Sequence, residues 1–222
     1  ASSVAENGSD LTLTATLNRQ TFEDVTVTLT GTGTSTAGTD YASLSTITIS
    51  AGSTTGTTSF NPTDDSVYEG SETAIIAVTG VSGGDATESG TQSETITITD
   101  NETAPTVTLS TSASSVAENG SDITLTATLS GATSEDVTVT LTGTGTSTAG
   151  TDYASLSTIT ISAGSTTGTT AFNPTDDSVY EGNETAIIAI TGVSGGSASE
   201  SGTQSETITI TDNETAPTVT LS

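Results

Sequence analysis

Residues 11–17 read Leu-Thr-Leu-Thr-Ala-Thr-Leu, so an apolar side chain alternates with threonine along the whole stretch. The same period of two recurs at residues 25–29, Val-Thr-Val-Thr-Leu. Successive side chains of a β-strand point to opposite faces, so this alternation is typical of a strand with one buried and one solvated face. Threonine suits the outer face because its branched side chain fits a pleated surface while its hydroxyl meets water. The pattern predicts an all-β protein.

The sequence repeats itself with a period of 112 residues, and 100 of the 110 positions in residues 1–110 match residues 113–222. A unit of this length has the size of one immunoglobulin-like sandwich and exceeds the roughly 20 to 50 residues of a solenoid repeat. Gly-, Ser- and Asn-rich turns separate the predicted strands. In the second repeat we expect strands near 105–110, 114–117, 122–130, 136–142, 157–162, 168–173, 184–191 and 204–211. Short, evenly spaced strands predict two tandem immunoglobulin-like antiparallel β-sandwiches.

The repeat also predicts the domain boundaries. Residues 1–103 would form a sandwich without its first strand, and residues 104–215 a sandwich with all its strands. Residues 216–222 repeat residues 104–110 and would be the first strand of a further repeat. There is no signal peptide and no initiator Met, so we expect a segment of a longer polypeptide. We also expect residues 217–221 to fill the first-strand slot of the first repeat in a neighbouring molecule.

Composition excludes many functions. The chain has 27 acidic residues, one basic residue (Arg19) and a net charge of −26, which argues against nucleic acid and anionic membranes as partners. It has no His, Cys, Met or Trp, so a His base, a Cys nucleophile, a thiolate or imidazole zinc site and a disulfide are impossible. Aromatic residues make up 3%, which leaves no sugar platform for a glycosidase. We expect no enzyme activity, no small-molecule substrate and, without an apolar run of about 18 residues, no membrane insertion.

The carboxylates recur as four clusters in each repeat. Alternating strands would bring these clusters to one pole of each sandwich, where each pair about 4 Å apart repels by about 4 kcal/mol at an effective dielectric near 20. A divalent cation is the expected counter-charge, and Ca²⁺ fits best because it accepts about six to eight oxygens in flexible geometry. A solvated acidic surface that serves solubility or a salty habitat remains the alternative. The clustered acids are Glu6, Asp40, Asp64, Asp65, Glu69, Glu72, Asp100 and Glu102, then Glu118, Asp152, Asp176, Asp177, Glu181, Glu184, Asp212 and Glu214.

Four motifs in order carry a resemblance to a known family. They are Val-Ala-Glu-Asn at 4–7, Thr-Ala-Gly-Thr-Asp-Tyr at 36–41, the acidic run at 64–72 and Thr-Ile-Thr-Ile-Thr-Asp-Asn-Glu at 95–102. Together, over essentially all of both repeats, they resemble the Calx-β domain. The resemblance implies an immunoglobulin-like sandwich that binds several Ca²⁺ ions in loops at one end, through the acids above. Where family members end in a run of Asp, this chain has Asn101 and, in the second repeat, Asn213, which would supply only an amide or backbone oxygen.

Near-identical tandem repeats joined by a short link favour a structural role. Thr103-Ala104-Pro105 gives little slack, and the proline stiffens it. We expect a Ca²⁺-binding repeat that forms a rigid extender or stalk in a large secreted or cell-surface bacterial adhesin, outside the cell, with neighbouring repeats of the same polypeptide as its partners. The alternative is a Ca²⁺-sensing regulatory pair of the sodium–calcium exchanger type, for which unlike domains would be expected. A ligand-binding adhesive module would need an exposed apolar patch, and no stretch of the sequence marks one.

Overall fold

The computed structural model describes residues 2–222 as two units, unit 1 up to Thr103 and unit 2 from Ala104 to Ser222. Regular structure within residues 2–222 consists of β-strands, with no helix. The predicted all-β fold is therefore confirmed. This described part of the chain likewise has no helix with the length and hydrophobicity of a membrane span.

Unit 1 contains eight strands. They are β1 (Ser2–Ala5), β2 (Leu11–Thr16), β3 (Val25–Gly33), β4 (Ile47–Ile49), β5 (Thr55–Phe60), β6 (Val67–Tyr68), β7 (Glu72–Ser82) and β8 (Ser93–Thr99). Five of them form a sheet in the order β1-β8-β7-β3-β4, and β2 pairs with β5 in a second layer. The alternating stretch that begins at Leu11 is thus a strand, with Leu11 opposite Phe60.

Unit 2 contains ten strands. They are β9 (Thr106–Thr111), β10 (Ser115–Ala117), β11 (Ile123–Leu129), β12 (Ala132–Thr133), β13 (Val137–Gly145), β14 (Ile159–Ile161), β15 (Thr167–Phe172), β16 (Glu184–Ser194), β17 (Ser199–Glu200) and β18 (Ser205–Thr211). One sheet has the order β10-β18-β16-β13-β14 and the other β15-β11-β9-β17. All eight strands predicted for the second repeat are present. The two-residue strands β12 and β17 are not predicted, because so short a segment carries no period.

One of the two edge pairings of each five-stranded sheet is parallel, and the other pairings of the sheet are antiparallel. β1 runs parallel to β8 and β10 parallel to β18. In unit 2 the first segment of the chain changes sheets: β9 pairs antiparallel with β11, and after three residues the chain continues as β10 in the opposite sheet. The direction of an edge strand depends on this crossing. An alternating pattern alone does not reveal it, because the pattern is the same in both directions.

Burial differs between the units at matching positions. In unit 2 the inward side chains of β11, including Leu125 and Ala127, are fully buried and belong to one continuous core. Their counterparts Leu13 and Ala15 are only half-buried, and the core of unit 1 falls into two clusters. The side chains that close the core of unit 2 come from β9, which has no counterpart among residues 2–103.

The last seven residues carry no regular structure. Pro217–Ser222 has the sequence of Pro105–Ser110, most of which is β9, yet its Val219 and Leu221 are 98% and 102% exposed. A strand needs a hydrogen-bonded neighbour, which β9 has in β11 and residues 216–222 do not have among residues 2–222. That these residues are the first strand of a further repeat stays a prediction.

We expect unit 1 to unfold at a lower temperature than unit 2 in dilute solution, because its core is open along β2. Leu125→Ala should lower the stability of unit 2 by about 2–5 kcal/mol, and the matching Leu13→Ala should cost unit 1 only about 1 kcal/mol. Differential scanning calorimetry should resolve two transitions, with Leu13→Ala moving the lower one and Leu125→Ala the upper one. A single transition that both variants shift equally would contradict this expectation.

Candidate metal centre

The acidic residues at the ends of β1, β7 and β8 meet at one end of the five-stranded sheet of unit 1. Ala5 pairs with Thr99 in parallel register, so the next residues, Glu6 and Asp100, both lie just beyond that end. The Glu6 backbone N–H donates to the Thr99 carbonyl at 3.0 Å. β7 runs antiparallel to β8 and begins with Glu72, which therefore lies at the same end. Matching pairings in unit 2 repeat the arrangement.

A buried aromatic residue anchors the loop that supplies Asp40. Tyr41 is 1% exposed and stacks on Phe60, with ring centroids 4.8 Å apart. A Cβ at Gly31 would overlap the Tyr41 hydroxyl oxygen, so only glycine leaves room for the ring. The carboxylate of Asp40 accepts the Thr36 backbone N–H at 2.5 Å and closes the loop on itself. Tyr41 thereby holds the neighbouring Asp40 at the acidic end of the unit.

Each unit brings six carboxylates together as two triads. In every triad one oxygen from each residue lies within 4.8 Å of the other two. These triads contain 12 of the 18 predicted site residues. The groups are the Glu6 triad (Glu6, Asp100, Glu102), the Asp40 triad (Asp40, Glu69, Glu72), the Glu118 triad (Glu118, Asp212, Glu214) and the Asp152 triad (Asp152, Glu181, Glu184).

Asp100 connects the two triads of unit 1 through backbone hydrogen bonds. Its Oδ2 accepts the N–H groups of Glu69 at 2.7 Å and Gly70 at 2.6 Å, and its Oδ1 accepts that of Glu102 at 2.7 Å. Gly70 has φ of +75°, a left-handed conformation that glycine adopts without strain. The sequence pattern does not predict this role for Gly70, although a glycine inside an acidic run is a signal for a turn.

Asp212 makes the same three contacts in unit 2. Its Oδ2 accepts from Glu181 at 2.7 Å and from Gly182 at 2.5 Å, and its Oδ1 accepts from Glu214 at 2.7 Å. Desolvation acts to raise the pKa of Asp212, but the backbone N–H donors outweigh it and lower this pKa below its usual value. Asp212 therefore keeps its charge at the point where the two triads meet.

The pKa values of several triad glutamates shift in the opposite direction to that of Asp212. Burial, a hydrogen bond with the Glu102 carboxyl and the charge of Asp100 raise the pKa of Glu6 to about 8. Burial, a hydrogen bond with Asp40 and its charge raise the pKa of Glu72 to about 7. In unit 2, burial and the neighbouring carboxylates raise the pKa of Glu118 to about 7. The crowded carboxylates thus favour either a proton or another positive charge between them.

Buried oxygens without a hydrogen-bond donor indicate which charge the triads suit. Within residues 2–222, the buried side-chain oxygens that have no partner include one each from Glu6, Glu102, Glu118 and Glu214. A buried carboxylate oxygen without a donor is costly, and coordination to a hard cation would relieve that cost. The atoms of the triads that could coordinate a metal are all carboxylate oxygens, which are the ligands that Ca²⁺ and Mg²⁺ prefer. The residues present therefore fit a divalent cation.

The other six predicted site residues lie outside the triads, and their part in binding stays a prediction. Asp65 is close: its backbone N–H acts to lower the pKa of Glu6, and its charge raises the pKa of Glu69. Asn101 donates its amide N–H to Glu102 Oε1 at 3.0 Å, so it orients a triad member. The six are Asp64, Asp65, Asn101, Asp176, Asp177 and Asn213.

Two domain families match the sequence. Residues 2–102 match the Calx-beta domain, and residues 102–215 match the LapA domain, which covers more than half of the chain. The chain belongs to the LapA domain family, and its first unit matches the Calx-beta domain. The two units are nearly identical in sequence, and the expected resemblance to the Calx-beta domain is confirmed.

Solved structures with similarity to this chain include CBD12 from CALX1.2. It aligns with a TM-score of 0.41 and 15% identity over 94% of this chain and 96% of that chain. The calcium binding domain CBD12 of CALX1.1 aligns with a TM-score of 0.41 and 13% identity over 95% of this chain and 96% of that chain. The apo-form Calx CBD1 domain aligns with a TM-score of 0.41 and 22% identity over 48% of this chain and 97% of that chain. Among curated proteins, none matches the sequence significantly.

In the presence of a chelator we expect stability to fall as pH rises from about 5 to about 8. A carboxyl with a folded pKa above its unfolded value stabilises the fold below the unfolded pKa and loses that contribution as pH rises through the folded one. For Glu6 this window runs from 4.5 to about 8. Thermal melts in EDTA at several pH values measure the slope.

Glu6→Gln should raise the melting temperature of unit 1 at pH 8 in EDTA, because the amide carries no buried charge. Glu94→Gln is the matched control, since Glu94 is exposed and belongs to neither triad. Melting temperatures that rise with pH in EDTA, or identical effects of the two variants, would show that the triads do not carry these shifts.

Proposed function

We propose that each unit binds Ca²⁺ at its two carboxylate triads. The observation that carries this proposal is the convergence of three carboxylate oxygens within 4.8 Å in each triad, together with buried oxygens that lack donors. Ca²⁺ is favoured over Mg²⁺ because it accepts more oxygens in a less regular geometry, as loops with carbonyls and carboxylates provide. Membership of the Calx-beta family supports the same ion.

Ca²⁺ should stabilise both units. Extracellular Ca²⁺ modules have dissociation constants of about 10⁻⁴ to 10⁻³ M, and at about 100 times that constant one site adds roughly 2.7 kcal/mol. Because Ca²⁺ requires ionised ligands, its affinity should fall as the pH is lowered. In Ca²⁺ the stability should therefore rise with pH, which is the opposite of the dependence expected in EDTA. Melts with Ca²⁺, Mg²⁺ or EDTA test the effect, and calorimetric titration measures the affinity.

Variants of the triad residues test whether the Ca²⁺-dependent stabilisation comes from the triads. Asp40→Asn with Glu72→Gln should remove the part of the Ca²⁺ response of unit 1 that comes from the Asp40 triad, and Asp152→Asn with Glu184→Gln the part of unit 2 that comes from the Asp152 triad. Each pair leaves the other unit as an internal reference. Melting curves that are the same in Ca²⁺ and in excess EDTA would contradict the proposal that the triads bind Ca²⁺.

We propose further that the chain is a structural repeat of an extender or stalk in a secreted or cell-surface bacterial adhesin, without enzyme activity. The LapA domain match supports an adhesin context, and the near-identity of the units suits a rod made from many copies of one spacer. Its partners would be neighbouring repeats of the same polypeptide. A Ca²⁺-sensing pair remains the second candidate, since Calx-beta domains match, but the same six acids in both units favour one class of affinity over two.

The position of Glu102 supports a role for Ca²⁺ at the junction. Glu102 belongs to the Glu6 triad and lies two residues before Ala104, where unit 2 begins. An ion in this triad would join the end of unit 1 to Glu6 and Asp100, and so restrict the residues that lead into Pro105. Without it, the repulsion among these carboxylates would act on the link directly.

Ca²⁺ should therefore reduce the flexibility of the link between the units. Small-angle scattering on the 222-residue chain should give a narrower distribution of dimensions in Ca²⁺ than in EDTA, and Glu102→Gln should lose this difference. Glu214→Gln is the matched control, because it alters the same triad of unit 2 away from the link. Scattering that does not change between Ca²⁺ and EDTA would remove Ca²⁺ from the mechanism and leave a passive spacer.

A further inference from the structure

A tight turn with the sequence Ala-Glu-Asn-Gly follows the first strand of each five-stranded sheet, and we call it the pole turn. It comprises residues 5–8 after β1 in unit 1 and residues 117–120 after β10 in unit 2. In both turns the N–H of the glycine donates to the carbonyl of the alanine three residues earlier, at 2.8 Å. Each pole turn is therefore a four-residue β-turn closed by one hydrogen bond.

The packing of the pole turn requires glycine at its last position. A Cβ on Gly8 would lie 2.7 Å from the Ala5 carbonyl oxygen and 3.0 Å from Val4 Cγ2. On Gly120 the distances to the matching atoms would both be 2.8 Å. A larger residue would push the backbone of the turn apart. The fold thus fixes a glycine directly after the asparagine in both units.

An asparagine that precedes glycine is prone to lose its side-chain amide. The backbone nitrogen of the next residue gives up its proton and attacks the side-chain Cγ. The N–Cγ bond forms, the Cγ–Nδ2 bond breaks and ammonia leaves, so that the two residues share a five-membered succinimide ring. Water then opens the ring at either carbonyl, which leaves aspartate or isoaspartate. Glycine favours the attack because it has no side chain beside the nitrogen and a flexible backbone.

Two of the eight asparagines in the sequence precede glycine, and they are Asn7 and Asn119. Both are exposed, so water can reach the ring. Each of the other six precedes Arg, Glu or Pro; the side chains of Arg and Glu hinder the attack, and a proline nitrogen carries no proton. These six are Asn18, Asn61, Asn101, Asn173, Asn183 and Asn213.

The hydrogen bonds around the pole turn oppose the reaction in the folded state. In unit 1 the glycine nitrogen is held to the Ala5 carbonyl, so the turn has to open before this nitrogen can attack. The last strand anchors the turn as well: the Glu6 N–H donates to the Thr99 carbonyl at 3.0 Å, and Thr99 Oγ1 donates to the Val4 carbonyl at 3.3 Å. Thr211 makes the same two contacts in unit 2, at 3.1 and 3.3 Å.

We propose that Asn7 and Asn119 are deamidation sites of the native protein, and that the opening of the pole turn sets their rate. Each conversion exchanges a neutral amide for a carboxylate next to Glu6 or Glu118, where the triad carboxylates already crowd. The isoaspartate product also adds one methylene to the backbone of the turn. The change is irreversible, so each unit gains negative charge at its acidic end as the protein ages.

Peptide mass spectrometry of the 222-residue chain, stored in EDTA at constant pH and temperature, tests this proposal. We expect the mass change of an amide-to-carboxylate exchange at Asn7 and Asn119, and no change at the other six asparagines. The same chain unfolded in urea should convert at least about tenfold faster at both sites, because a turn that is open for a tenth of the time or less reacts only in that fraction. Since EDTA removes Ca²⁺, the result does not depend on ion binding by the triads.

Variants of the anchoring threonines separate the effect of the turn from the chemistry of the Asn-Gly step. Thr99→Val keeps the shape of the side chain and removes the hydroxyl that bonds β1, so it should speed the conversion of Asn7 several-fold and leave Asn119 unchanged. Thr211→Val should do the reverse. The unaltered unit is the internal reference in each variant, and circular dichroism checks that the sandwiches stay folded.

The comparison of folded and unfolded wild-type chain needs no variant and keeps the proposal open to refutation. Folded chain that keeps both amides while the unfolded chain loses them would overturn the assignment of Asn7 and Asn119 as sites of the native protein. Equal rates in the folded and unfolded chain would overturn the control by the pole turn, as would threonine variants that change both sites alike. Conversion spread evenly over all eight asparagines would overturn the selectivity.

Discussion

The backbone hydrogen bonds to Asp100 and Asp212 are the interactions on which each acidic pole depends. Each aspartate accepts three backbone N–H groups, and through them it joins the segment that precedes β7 or β16 to the end of the last strand of its unit. This holds the glutamates of two triads close together although their charges repel. The loops are thus organised by hydrogen bonds, while the charge that would balance them has to come from a proton or a cation.

The raised pKa values and the proposed Ca²⁺ binding have the same physical origin. Desolvation and crowding make a proton favourable at Glu6 and Glu118, and the same conditions favour a divalent cation that replaces the proton. A site of this kind is destabilising at neutral pH without its ion and stabilising with it. This difference in stability between the ion-free and the ion-bound site would let Ca²⁺ act as a structural element in a chain whose core is small.

The two copies of one short sequence show the limit of local reasoning. Pro105–Ser110 gives most of β9 and buries Val107, whereas Pro217–Ser222 has no regular structure and exposes Val219. The composition and alternation of the two segments are the same. The difference lies in the neighbour: β11 offers backbone groups and an apolar face to the first copy, and nothing in the described part of this chain offers them to the second.

The sequence alone determined the all-β fold, nearly every strand and the acids that form the triads, because alternation, repeats and residue chemistry are local properties. It did not reveal the parallel edge pairing or the role of Gly70. It also did not distinguish the triad residues from Asp64, Asp65 and Asn101, which lie outside the triads and whose part in binding stays a prediction. Only the tertiary structure decided these points, because they depend on which strand ends meet and on where backbone N–H groups point. Those contacts join residues far apart in the chain, and no short-range pattern encodes them.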